Sequence, residues 1–84
     1  MKKSITVYGT KICPDCRRSK KWLDENNVPY KEIFLEEDDS AVAFVMKVNN
    51  GMQSVPTIVF PDDSILVEPS NKMLEEKVKK LLIN

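Results

Sequence analysis

Tyr8-Gly9-Thr10-Lys11-Ile12-Cys13-Pro14-Asp15-Cys16 is the stretch on which the fold turns. Upstream of it, Ser4-Ile5-Thr6-Val7-Tyr8 is short and rich in β-formers, so a strand is expected there, closing at Gly9. Downstream, Pro14 suits the first turn of a helix, where its missing N–H removes no hydrogen bond. That helix should run to about Asn26, with Cys16, Ser19 or Lys20, and Leu23 on its inner side. Asn26-Asn27 end it and Pro29 forbids its continuation. The two cysteines therefore stand where a strand hands over to a helix.

That position carries chemistry. Cys13 falls at the helix N-terminus, where unpaired backbone N–H groups and the positive end of the dipole favour a thiolate, the attacking form of cysteine. Cys16 lies one turn further in and is expected to be less exposed, close enough to attack a mixed disulfide formed on Cys13. Lys11, Arg17, Arg18, Lys20 and Lys21 surround the pair with positive charge, which should favour the thiolate and attract an anionic thiol, unless they form only a solvated helix face. Asp15 is the one acid among them and opposes that field. Two other readings stand beside redox chemistry. A Cys-x-x-Cys can supply half of a zinc or iron site, but the chain has no histidine and no third cysteine, so two chains would have to share the metal. The pair can also be a buried structural element. Trp22 reads as packing.

The rest of the chain orders itself around this unit. Tyr30 to Leu35 alternates and is expected to be a second strand. Asp38, Asp39 and Ser40 are N-cap candidates for a helix whose Ala41, Phe44, Val45 and Val48 recur at helical spacing and which Gly51 closes. Thr57-Ile58-Val59-Phe60 and Ile65-Leu66-Val67 flank the turn residues Pro61-Asp62-Asp63-Ser64, so they should form a hairpin. Ser70 can cap a last helix with Leu74, Val78, Leu81 and Leu82 in one apolar stripe. The order β-α-β-α-β-β-α, with a right-handed crossover between the first two strands, predicts an α/β fold. It should be a four-stranded mixed sheet with helices on both faces.

At 84 residues the chain has room for one domain, residues 1–84. Thirteen basic side chains balance thirteen acidic ones, which argues against a nucleic-acid or membrane-surface binder. No stretch approaches the roughly 20 apolar residues of a membrane span, so the expected location is the cytoplasm. A secreted scaffold of this size would carry four or more cysteines spread along the chain; this one has two, three positions apart.

The stretch from Tyr8 to Cys16, followed some forty residues later by Ser54-Val55-Pro56-Thr57, resembles the glutaredoxin family. Val48-Asn49-Asn50-Gly51, Phe60-Pro61-Asp62-Asp63-Ser64 and Glu68-Pro69-Ser70 look most similar to mycoredoxins and related small redox proteins. The resemblance covers essentially the whole chain. It implies a thioredoxin-like (glutaredoxin) fold and a dithiol thiol–disulfide oxidoreductase with Cys13 as nucleophile and Cys16 as resolving thiol. It further implies a cis Pro56 facing the cysteines, with the Val55 backbone left to pair with substrate. Lys11, Val55, Pro56 and Ser70 are then the expected substrate contacts, and Pro14 and Asp15 tune the redox pair, with no metal. The implied substrates are disulfide-bearing client proteins or their mixed disulfides with a low-molecular-weight thiol, glutathione or an analogue, as co-substrate. The alternatives are a donor of electrons to protein disulfides recharged by thioredoxin reductase, as in ribonucleotide-reductase donors, and a non-catalytic metal or cluster carrier. No bound cofactor and a monomer are expected. Three positions depart from the family pattern. Asp15 replaces the common aromatic between Pro14 and Cys16. Pro69-Ser70-Asn71 stands where glutathione-using members usually carry a carboxylate-holding Gly-Gly-Asp turn. Asp62-Asp63 replaces a frequent Asp-Gly, at a place where a positive φ would cost Asp more than Gly.

Overall fold

In the computed structural model, which describes residues 4–83, the chain forms strand β1 (Ile5–Gly9), helix α1 (Pro14–Glu25), strand β2 (Tyr30–Phe34) and a one-turn 3-10 helix (Leu35–Glu37). Helix α2 (Asp39–Val48), strands β3 (Thr57–Val59) and β4 (Ile65–Val67), and helix α3 (Asn71–Ile83) follow. The strands lie in the order β2-β1-β3-β4. β1 runs parallel to β2, with Ile5 opposite Tyr30 and Gly9 opposite Phe34, and antiparallel to β3, with Tyr8 opposite Thr57. β4 completes the hairpin, with Ile58 opposite Leu66. The mixed sheet and its element order are those the sequence predicts.

Two apolar clusters hold the layers together. Ile5 and Val7 of β1, Ile58 of β3, Phe60, Leu23 of α1 and Leu74 and Val78 of α3 form one, with Trp22, Val28, Tyr30, Leu66 and Leu81 packed around it. Leu35 with Ala41 and Val45 of α2 forms the other, joined by Tyr8, Ile33, Phe44 and Val55. Helices α1 and α3 thus cover one face and α2 the other. Leu23 is fully buried, and truncating it to alanine would cost about 2–5 kcal/mol. Trp22 packs, as expected. Leu82 of the expected α3 stripe lies outside the described side chains.

Local chemistry explains the boundaries. Asn27, at φ 56°, turns the chain out of α1, and asparagine tolerates that left-handed conformation better than most residues. Asp38 caps α2: its Oδ1 accepts from the backbone N–H groups of Ser40 (3.0 Å) and Ala41 (3.1 Å). Gly51, at φ 90°, closes α2 by donating its N–H to the Met46 carbonyl (2.7 Å). Ser70 caps α3, its Oγ accepting from the Met73 N–H (3.2 Å). Asp63 takes φ 67° in the hairpin turn, the conformation anticipated as costly for a non-glycine residue. The second strand departs from expectation. It stops at Phe34, because Leu35 turns into the α2-side core instead of extending the ladder. Its burial does not alternate either. It is an edge strand, and Glu32 is half-buried because the Lys20 ammonium from α1 bonds to it and lies over the Phe34 ring at 5.5 Å.

Candidate active site

The register fixes where the chemistry collects. β1, β2 and β4 all point the same way and β3 points back. The loop after Gly9, the 3-10 turn after Phe34, the segment before Thr57 and the turn after Val67 therefore lie at one end of the sheet. Cys13, Glu36, Glu37, Val55, Pro56 and Ser70 all belong to those connections.

Cys13 and Cys16 form a disulfide, and Cys13 is the N-cap of α1, in extended conformation at φ −152°. Its Sγ accepts the Cys16 backbone N–H at 3.1 Å. The sulfur thus occupies the place that a serine or aspartate oxygen takes at an ordinary helix start. A thiolate there would meet an N–H donor and the positive end of the helix together. Pro14 at the first helical position carries no N–H that would need a partner. Cys13 is 7% exposed and Cys16 1%, in the expected rank. Cys16 is sealed from below by the strand: a Cβ built on Gly9 would stand 2.9 Å from its Sγ. Only glycine lets the end of β1 approach the second sulfur this closely.

The surrounding charges are more evenly matched than the run of lysines and arginines in the sequence implies. Lys11 pairs with Glu37 (2.8 Å), whose carboxylate raises the Lys11 pKa above its ordinary value. The Lys11 backbone N–H donates to Glu36 Oε2 (2.8 Å), and this bond holds the Glu36 carboxyl below its usual range. Asp15, inside the redox ring, pairs with Arg18 at 3.1 Å, one helical turn on. Arg18 also donates to the Pro69 carbonyl (3.3 Å), tying α1 to the turn that carries Ser70. Lys20 is engaged by Glu32 on the sheet. Arg17 and Lys21 are exposed. Ile12, next to Cys13, is 87% exposed.

The Val55–Pro56 peptide bond is cis. Pro56 is buried, and its carbonyl accepts the Glu68 N–H (2.8 Å), so the end of β4 braces this turn. Val55 is half-buried against the α2-side cluster. Gly9, Glu36 and Glu37 escaped the sequence reading. Gly9 was read as a strand end, and its contact with Cys16 follows only once β1 and α1 are packed. Leu35-Glu36-Glu37 has no periodic signal, and the acids face the Cys13 loop only because Leu35 is buried. Of Ser19 and Lys20, the two candidates for the inner face, Ser19 is the buried one, and its hydroxyl has no hydrogen-bond partner among the described residues. No group of three or more metal-ligating side chains occurs among the described residues. No helix among them is long and apolar enough to cross a membrane.

A Cys-x-x-Cys disulfide thus stands at a strand-to-helix junction, at the same end of the sheet as a cis proline that leads into the neighbouring strand. Known proteins share this arrangement. The glutaredoxin family model matches residues 5–65. A Mycobacterium tuberculosis protein that carries the glutaredoxin name is 37% identical over 78 residues, 93% of each chain. Mycoredoxin 1 of Corynebacterium glutamicum is 32% identical over 78 residues, 93% of this chain and 96% of its own. The crystal structure of a glutaredoxin from Archaeoglobus fulgidus superposes with a TM-score of 0.70 at 25% identity, covering 87% of this chain and 83% of that one. With its Cys13–Cys16 disulfide and its thioredoxin-like sheet, this chain belongs to the glutaredoxin family of thiol–disulfide oxidoreductases.

Proposed function

We propose that Cys13 is the attacking thiol and Cys16 the resolving one, in the reduction of protein disulfides and of mixed disulfides between proteins and a low-molecular-weight thiol. The Cys13 thiolate attacks one sulfur of the substrate disulfide, whose other half leaves as a thiolate and takes a proton. Cys16 then gives up its proton and attacks the Cys13 sulfur, which releases the second half and leaves the Cys13–Cys16 disulfide. Two electrons pass to the substrate. The observation that carries this assignment is the asymmetry of the pair. The Cys13 sulfur caps the helix, while the Cys16 sulfur is closed off against Gly9.

Lys11, Val55, Pro56 and Ser70 meet the substrate in this reading, and Asp15 and Pro14 tune the pair. In this reading the protein is a monomer of one domain working in the cytoplasm, with a small thiol, glutathione or an analogue, as co-substrate. A second reading, an electron donor to protein disulfides recharged by thioredoxin reductase, is favoured by Pro69-Ser70-Asn71, which replaces the family's carboxylate-holding turn. A coupled turnover assay separates them by supplying NADPH either with glutathione and its reductase or with thioredoxin reductase. Turnover in the first arm supports the small-thiol reading and turnover in the second the protein-donor reading. No turnover in either arm would contradict the protein-donor reading and glutathione as the small thiol.

A further inference from the structure

Lys11 stands two residues before Cys13 and is the nearest cation upstream of it in the sequence. Its charge is already taken. The buried Leu35 anchors the 3-10 turn, and this directs two consecutive carboxylates at the same loop residue. Glu36 accepts the Lys11 backbone N–H at 2.8 Å and Glu37 holds the Lys11 ammonium at 2.8 Å. Arg18, the cation on the other flank, faces Asp15. A substrate carboxylate reaching Lys11 would have to displace Glu37 and would meet Glu36 behind it.

We infer that Glu36 and Glu37 are specificity-determining residues for exchange at Cys13, turning the site away from carboxylate-bearing small thiols and toward disulfides whose flanking groups are neutral or cationic. The inference rests on the assignment of Cys13 as the attacking thiol and adds the charge class of its partner. The ion pair between Lys11 and Glu37 is a direct contact at 2.8 Å, and a lysine is charged at physiological pH. Both side chains are more than half exposed, so the effect is a preference that salt weakens, not a barrier.

The test is a cycle of four reduced proteins: unaltered, Glu37→Gln, Lys11→Met and the double variant. Each reacts with glutathione disulfide (anionic), hydroxyethyl disulfide (neutral) and cystamine (cationic). The rate of the first attack by Cys13 is followed in a single turnover at low salt. In that step the probe's S–S bond breaks, one half leaves as a thiolate and a Cys13–probe disulfide forms. Dividing each rate by that for the neutral probe cancels changes in thiol reactivity. Glu37→Gln should raise the anionic-to-cationic ratio roughly two- to fivefold, and 0.5 M salt should shrink the difference. Lys11→Met should lower the ratio more in the Glu37→Gln background than in the unaltered protein. An unchanged ratio, or equal effects of Lys11→Met in both backgrounds, would overturn the inference while leaving Cys13 as nucleophile. Failure of the unaltered protein to attack any of the three probes would overturn the nucleophile assignment, and the inference with it.

Discussion

The end of β1 touches the second sulfur of the redox pair: a Cβ on Gly9 would lie 2.9 Å from Cys16 Sγ. The contact joins the sheet to the disulfide, because it closes the β1 side of the Cys16 sulfur. Gly9→Ala forces either strand or sulfur to shift. It should cost about 1–3 kcal/mol of stability, as overpacking of a tight site usually does. Resolution of the mixed disulfide by Cys16 should slow more than first attack by Cys13. Urea denaturation and rapid-quench kinetics of the two steps check this; equal slowing of both would contradict it.

Ser19 predicts a gain. Its hydroxyl is fully buried with no partner among the described residues, and a buried unsatisfied polar group is costly. Alanine at this helical position removes that cost and has the higher helix propensity. Ser19→Ala should raise unfolding stability by about 1 kcal/mol in a urea titration. A clear loss would mean that the hydroxyl is bonded in solution.

Asp62 carries an acid sensitivity. Lys77 holds its carboxyl far below the ordinary carboxylate range, with help from the Ser64 hydroxyl and N–H, so the hairpin turn is tied to α3. A carboxylate held low in the folded state favours folding above its unfolded value, near 4. It loses that contribution as the pH falls toward the folded value. Asp62→Asn should therefore be less stable than the unaltered protein at pH 7. The difference should narrow steadily below pH 4. Thermal unfolding across that range measures it; a gap independent of pH would rule the linkage out.

Asp15 opposes the field that favours the Cys13 thiolate, and its partner Arg18 is held 3.1 Å away. Asp15→Asn removes a negative charge and releases a positive one, and both changes stabilise the thiolate. The midpoint of Cys13 alkylation against pH should fall by roughly 0.5 to 2 pH units at low salt, and less at high salt. The disulfide should become more oxidising, since the reduced form gains. An unchanged midpoint at low salt would leave Asp15 a role in recognition alone.

What the sequence disclosed and what it hid divide along a physical line. Capping and turn residues act locally, so Pro14, Asp38, Gly51 and Ser70 marked the helix ends, and the Cys13–Cys16 spacing marked the redox ring. Pro56 was placed through the family resemblance rather than by local chemistry, which alone favours a trans bond. The compensation of charge was hidden. Lys11 with Glu37 and Lys20 with Glu32 are pairs between elements, and a count of cations along α1 overstates the positive field. The 3-10 turn was hidden for the same reason, since burial of Leu35 against α2 decides it.

The roles of the two sulfurs are tested most directly by mass spectrometry of Cys16→Ser and Cys13→Ser after mixing, in reduced form, with a disulfide substrate. Cys16→Ser should accumulate a covalent adduct on Cys13, because attack proceeds and resolution cannot. Cys13→Ser should form no adduct, since the remaining thiol is sealed beneath the helix start and against Gly9. A stable adduct on Cys16 of the Cys13→Ser protein, formed as fast as that on Cys13, would contradict the account.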